Sequence, residues 1–144
     1  MIKFTLCPTN LIPNLWDSIS PCLSKPVELS HGECTMETLY NDLVEAKQGL
    51  IIVTDEEEII ACITTQVRTF DTGLKALYMP MVGGARMDEW LDEALSILTE
   101  IAKNYGATEL RGYMVRKGWD RVLMGEKGWK PVYNVLSYTI GDDK

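Results

Sequence analysis

The chain has 144 residues, enough for one domain with a full-sized core, and is 46% hydrophobic and 24% charged, the make-up of an ordinary globular protein. Its formal net charge of −7 argues against wholesale nucleic-acid binding. No apolar run approaches the ~20 residues that span a bilayer and no secretory leader opens the chain, so the expected location is a cytoplasm or a particle packaged from one.

"MIKFTL" reads as a short first strand. In "LIPNLWDSISPCL", Pro13 suits a first helical turn, and Ile12, Leu15, Trp16 and Ile19 fall at helical spacing. Pro21 is expected to end or bend that helix. "TMETLYNDLVEAKQG" is a second helix, with Thr35 as N-cap, Met36, Leu39, Tyr40 and Leu43 as its stripe, and Gly49 as its stop. "LIIVT" and "EIIACITTQVRTF" flank "DEEE" and predict a hairpin with a solvated acidic tip. After "DTG", "LKALYMPMV" is a strand that Pro80 deprives of one ladder hydrogen bond, so it should bend or splay there. The spacing predicts the strongest helix over 87–105, where Met87, Trp90, Leu91, Ala94, Leu95, Leu98, Ile101, Ala102 and Tyr105 form one stripe closed by Gly106. "TELRGYMV" is then a strand, "KGWDRVLMGEKG" a short helix and "KPVYNVLSYTI" a last alternating strand. The order β-α-α-β-β-β-α-β-α-β gives one α/β domain of the mixed α+β kind over residues 1–144. Its single central sheet is mostly antiparallel and flanked by helices.

Chemistry-bearing residues are sparse. Cys7, Cys22, Cys34 and Cys62 form no C-x-x-C pair and read as free thiols in the interior, and the one histidine, His31, reads as a loop residue, so no metal site is expected. Trp90, Trp119 and Trp129 are placed for core packing rather than ligand stacking. Residues 111–130 hold six Lys/Arg against two acids, a local +4 that leaves −11 for the rest. Such a patch suits a small anionic ligand or an acidic partner surface, or is simply a solvated helix face.

The order of elements, with a bent strand running into a long helix, resembles the GNAT acetyltransferase superfamily over most of the chain. The most specific part is the end, "ILTEIAKNYGATELRGYMV" and then a short helix running into "KGWKPVYNVLSYTI", with Gly128 and Trp129 at the Gly-aromatic position of those proteins. A nearer likeness is to small phage-encoded GNAT-like proteins of undefined role, through "PNLW", "CITTQVRTF", "GGARMDEWL" and "RKGWDRVL" in that order. The resemblance implies acetyl-CoA as cofactor, with its pyrophosphate at the turn before the long helix. Here that places Val82, Gly83, Gly84 and Ala85 as backbone contacts and Arg86, Arg116 and Lys117 as phosphate contacts.

The sequence departs from the resemblance in two places. Active members usually carry Arg/Gln-x-x-Gly-x-Gly/Ala at that turn. Aligned on Leu91, this chain has Arg86 and Asp88 at the two small-residue positions; the other register leaves Asp88 and Glu89 in the first helical turn. Carboxylates there favour the helix dipole and repel a phosphate, which makes the turn a degenerate cradle. The family also often places a Tyr on the last helix, four residues before the Gly-aromatic pair, as an acid for the leaving thiolate. Met124 stands there, and Glu126 and Tyr113 are the candidates to replace it. Two readings follow. One is a GNAT-fold phage-type protein with degraded or no catalysis, acting as a particle component or as a module that binds another phage or host protein. The other is an acetyl-CoA-dependent N-acyltransferase acting on an amine. Neither calls for a membrane or nucleic acid.

Overall fold

A computed structural model describes residues 1–113 and 121–141. Strands β1 (Ile2–Leu6), β2 (Gly49–Asp55), β3 (Glu58–Thr69), β4 (Lys75–Met79), β5 (Val82–Gly84) and β6 (Glu109–Gly112) form one sheet in the order β1-β2-β3-β4-β6, with β5 paired to β3. Every pair is antiparallel except β4–β6, which is parallel. β2 and β3 are nearly continuous apolar runs because both faces of the sheet are covered. Ile51, Val53 and Ile63 pack toward helix α3 (Met87–Asn104), while Leu50, Ile52 and Cys62 pack toward α1 (Ile12–Glu28) and α2 (Met36–Val44). The β2–β3 turn holds Glu56 and Glu57 at φ of 51° and 72°, the left-handed pair a two-residue hairpin demands, with both side chains exposed as the acidic tip predicts.

Each helix shows why its sequence folds as it does. α2 opens on a reciprocal cap, in which the Thr35 hydroxyl accepts from the Thr38 N–H and Thr38 accepts from the Thr35 N–H. α3 buries Trp90, Leu91, Ala94, Leu98 and Ala102 along one stripe, and Gly106 at φ 77° lets the chain turn away. Trp90 is 2% exposed and Trp129 packs against the same core, whereas Trp119 lies outside the described residues.

Four expectations are corrected. Pro21 does not end α1, which continues to Glu28 through Pro26 as well, since Ile19, Leu23 and Val27 are buried beyond it and outweigh the lost backbone bonds. α2 ends at Val44 rather than at Gly49, which instead begins β2. Tyr105 leaves the stripe of α3 and is exposed, because it is the C-cap residue. Only Cys62 is buried; Cys7, Cys22 and Cys34 are half-buried.

The largest departure is at the end of the chain. A π-type turn spans Arg121–Glu126, but residues 131–140 pair with no strand among the described residues, and Leu136 and Ile140 are 91% and 86% exposed. Pro131 brings no N–H to a ladder, and the strand β6 that stands at this edge is only four residues long.

Candidate functional site

Pro80 sets the geometry of the site. Gln66 faces Tyr78 and Ile63 faces Val82, so one extra residue is accommodated between β4 and β5, as a β-bulge. Buried Thr64 manages the interruption: its N–H donates to the Met81 carbonyl at 2.8 Å, and its hydroxyl accepts from the Met81 N–H at 2.9 Å. Beyond the bulge β5 stays with β3 while β6 stays with β4, so among the described residues the outer edge of β5 has no strand partner. The predicted bend is present and it opens the sheet.

The gap is part of a cleft of about 670 Å³ lined by residues from both sides of the sheet. On the α3 side its wall is apolar: Trp90, Leu91, Ala94, Leu95, Leu98 and Leu123. On the α1–α2 side the lining is mixed: Pro26, Leu29 and Met81 stand with the polar Glu33, Thr38, Asp42, Gln48, Gln66, Arg68 and Tyr113. These polar groups are chained together. Arg68 lies over the Tyr78 ring at 3.9 Å, donates from Nε to Gln66 Oε1 at 3.1 Å and from Nη1 to the Tyr113 hydroxyl at 2.9 Å. Gln66 Nε2 donates to the Lys47 carbonyl at 3.4 Å, and Gln48 Nε2 donates to Asp42 Oδ2 at 3.1 Å. Arg111 holds Tyr78 from behind, donating to its hydroxyl at 3.2 Å while paired with Glu109. His31 is a loop residue at the rim, as expected, with φ 61°.

Of the seven residues the sequence placed as cofactor contacts, Val82 lines the cleft. Gly83, Gly84, Ala85 and Arg86 follow it into α3, and Arg116 and Lys117 lie outside the described residues. The two glycines are closely packed. A Cβ at Gly83 would stand 1.8 Å from the Cys22 carbonyl oxygen of α1, and one at Gly84, where φ is 129°, would stand 2.3 Å from the Ile60 carbonyl oxygen. The Ala85 N–H is taken by the Ile60 carbonyl at 2.8 Å, and the Ala85 carbonyl accepts from Trp90 Nε1 at 2.8 Å.

Arg86, left-handed at φ 61° as the N-cap of α3, is clamped. Its guanidinium grips both oxygens of Glu89, at 3.0 and 2.7 Å, and reaches Asp55 at 2.6 Å. The hydrogen bonds from Arg86 hold the Glu89 carboxyl below the ordinary carboxylate range, and Glu89 and then Asp55 push the guanidinium up. The basic segment is also partly neutralised, since Arg111 pairs with Glu109 and Lys127 with Asp92. Among the described residues no cluster of His, Cys, Asp and Glu could hold a metal ion, and no helix is long and apolar enough to cross a membrane.

Sequence reasoning did not single out Gln48, Asp42, Gln66 or Arg68. One local signal existed: "QVR" puts two polar side chains on one face of a strand whose earlier run, "IIACI", is apolar on both.

No protein-family model matches this chain, and no curated protein matches it. Solved structures do. A possible acetyltransferase from Clostridium difficile 630 superposes with a TM-score of 0.64 at 14% identity, covering 99% of each chain. A predicted acetyltransferase from Clostridium acetobutylicum, solved with acetyl-CoA, gives 0.67 at 14% identity over 97% of each. The aminoglycoside N-acetyltransferase AAC(6')-Iy, in complex with a CoA-linked bisubstrate analog, gives 0.69 at 11% identity over 99% of each. The chain has the GNAT acetyltransferase fold. At these identities the likeness speaks for the GNAT architecture alone, and activity has to be argued from the cleft.

Proposed function

We propose that the chain transfers an acyl group from acyl-CoA to an amine, with a cofactor affinity that its own loop keeps low. The observation that carries this reading is the cleft of about 670 Å³ opening beside the unpaired edge of β5. Its GNAT-fold neighbours include one solved with acetyl-CoA and one solved with CoA, which supports the choice of cofactor. The residues fit that cofactor only in part. The edge of Val82–Gly84 and the apolar wall of α3 suit a narrow acyl-bearing arm. The turn before α3 does not suit a pyrophosphate in the arrangement described, because Ala85 has given its N–H away and Glu89 occupies Arg86.

When bound, acetyl-CoA supplies an acyl thioester. In this reading Tyr113, which lines the cleft, serves as the acid in place of Met124: its oxygen accepts from Arg68, which leaves its own O–H proton free to go to a departing sulfur. Glu126, the other candidate, does not line the cleft. The test is release of free thiol from acetyl-CoA with a panel of primary amines. Tyr113→Phe should lower kcat roughly 100-fold and leave acetyl-CoA affinity unchanged. Unchanged turnover in that variant removes Tyr113 from the reaction.

A second reading is a GNAT-fold protein without catalysis, a phage particle component or a module that binds another phage or host protein. Two observations favour it, the Arg86–Glu89–Asp55 clamp and the exposed apolar segment 131–140, which offers a partner an extended chain to pair with. Absence of thiol release with every amine tested supports it.

A further inference from the structure

Two thiols meet where α1 lies against β5, and the proposed reaction uses neither. Cys62 of β3 stands directly opposite Gly83 of β5 in the antiparallel ladder, so its side chain points to the face where a Cβ of Gly83 would point. That face is covered by α1. The Cβ would lie 1.8 Å from the Cys22 carbonyl oxygen and 3.1 Å from Pro26 Cδ, one helical turn further on. Glycine at 83 thus lets α1 settle onto the sheet beside Cys62. There the Cys22 and Cys62 thiols come within hydrogen-bond reach of each other. Their surroundings differ. Cys22 is half-buried, whereas Cys62 is 0% exposed, in the cluster that holds Ile19, Leu23 and Ile52. The hydrogen bond from Cys62 lowers the Cys22 thiol to about 7, against the opposing effect of burial. That same bond, then burial, push the Cys62 thiol well up, and the charges of Cys22 and Cys7 act in the same direction. Cys22 is therefore the thiolate of the pair and Cys62 the thiol.

We infer that Cys22 and Cys62 form a redox pair, oxidised by hydrogen peroxide to a disulfide that staples α1 to β3. The pair does not depend on the acyltransferase reading. In the first step the Cys22 sulfur attacks one oxygen of the peroxide. The O–O bond breaks, Cys22 becomes a sulfenic acid, and the departing hydroxide leaves as water with the proton that Cys22 gave up. In the second step the Cys62 sulfur attacks the Cys22 sulfur. The S–S bond forms, the S–O bond breaks, and the departing hydroxide takes the Cys62 proton to become water. Two thiols and one peroxide give one disulfide and two waters: the sulfurs are oxidised and the peroxide is reduced. Cys62 needs no access to solvent, because the sulfur it attacks is already in contact with it. Closure draws the two sulfurs from contact to bonding distance, and a dithiol reductant reverses it by exchange. Pro26 of α1 and Val82 of β5, beside the pair, both line the cleft, so the bridge holds two of its lining elements at a fixed spacing.

The test treats the dilute, fully reduced chain with stoichiometric hydrogen peroxide near neutral pH, then unfolds it and counts thiols. The count should fall from four to two while the chain stays monomeric. A proteolytic digest should then hold one peptide joining Cys22 to Cys62, which dithiothreitol splits. Cys7→Ser/Cys34→Ser should keep that bridge. In Cys62→Ala the Cys22 sulfenic acid has no thiol to resolve it and should be captured by dimedone. In Cys22→Ser both the bridge and the dimedone adduct should be lost. Should a variant fail to fold, the digest of the natural chain decides alone. Four thiols surviving the peroxide, Cys22 oxidised without a bridge, or a disulfide joining either residue to another cysteine overturns the pair.

Discussion

Gly83 separates two explanations of the same dipeptide. A phosphate cradle uses glycine so that a ligand can approach the backbone; here α1 itself approaches, with the Cys22 carbonyl where a Cβ would sit. That carbonyl is available because Pro26, four residues on, has no N–H to offer it. Gly83→Ala should therefore destabilise the fold by about 3 kcal/mol, visible as a lower urea midpoint. An unchanged midpoint would return the glycine to a ligand role. Glu89 makes a second prediction. Its folded pKa is lowered by the hydrogen bonds from Arg86, so the pairing contributes stability that is complete above the unfolded value of about 4.3 and is lost as pH falls through the lower folded value. The stability gap between the natural chain and Glu89→Gln should be flat from about pH 8 to about pH 5 and close under stronger acid. A gap that widens on acidification contradicts the clamp. The Asp88 and Glu89 carboxylates were visible in the sequence, whereas the reach of Arg86 to Asp55, thirty-one positions away, was not.

The elements divide by what local pattern can and cannot say. The 3.6-residue stripe over 87–105 and the "TMET" cap mark α3 and α2 because those signals are contained within each helix. Pro21 misleads because its cost is local while the gain from Ile19, Leu23 and Val27 against the sheet is tertiary. The last strand misleads for a related reason. Alternation in "VYNVLSYTI" describes a side-chain arrangement suited to a sheet, but a strand also needs an edge to receive it. Here Val135, Leu136, Tyr138 and Ile140 remain exposed. Backbone amides of residues 132–140 should accordingly exchange with solvent near the unprotected rate, while those of Ile51, Ile52 and Val53 in β2 exchange only on global opening. Protection across 132–140 would contradict the described arrangement and mean that the segment has found an edge.

At the scale of the whole molecule, one bulge does most of the functional construction. Pro80 announces it in the sequence, and the structure converts it into a divergence of β5 from β6 that opens the sheet between an apolar helix and a wall of mixed lining. The wall itself was not legible, since Asp42, Gln48, Arg68 and Tyr113 come from α2, β3 and the segments that flank β2 and β6, and meet only once the sheet has formed. On the proposed acyltransferase reading the opening and the clamp pull in opposite directions: the cleft would take an acyl-CoA arm, while Glu89 and Asp55 hold Arg86 away from its phosphates. Calorimetric titration with acetyl-CoA, on the natural chain and on Asp88→Ser/Glu89→Gly, tests that tension most directly. Removing the two carboxylates frees Arg86 from Glu89 and lifts like-charge repulsion at the start of α3, each change worth roughly fivefold in affinity. The account predicts weak binding by the natural chain and clearly tighter binding by the double variant. Tight binding by the natural chain would contradict the clamp, and no binding by either would contradict the acyltransferase reading.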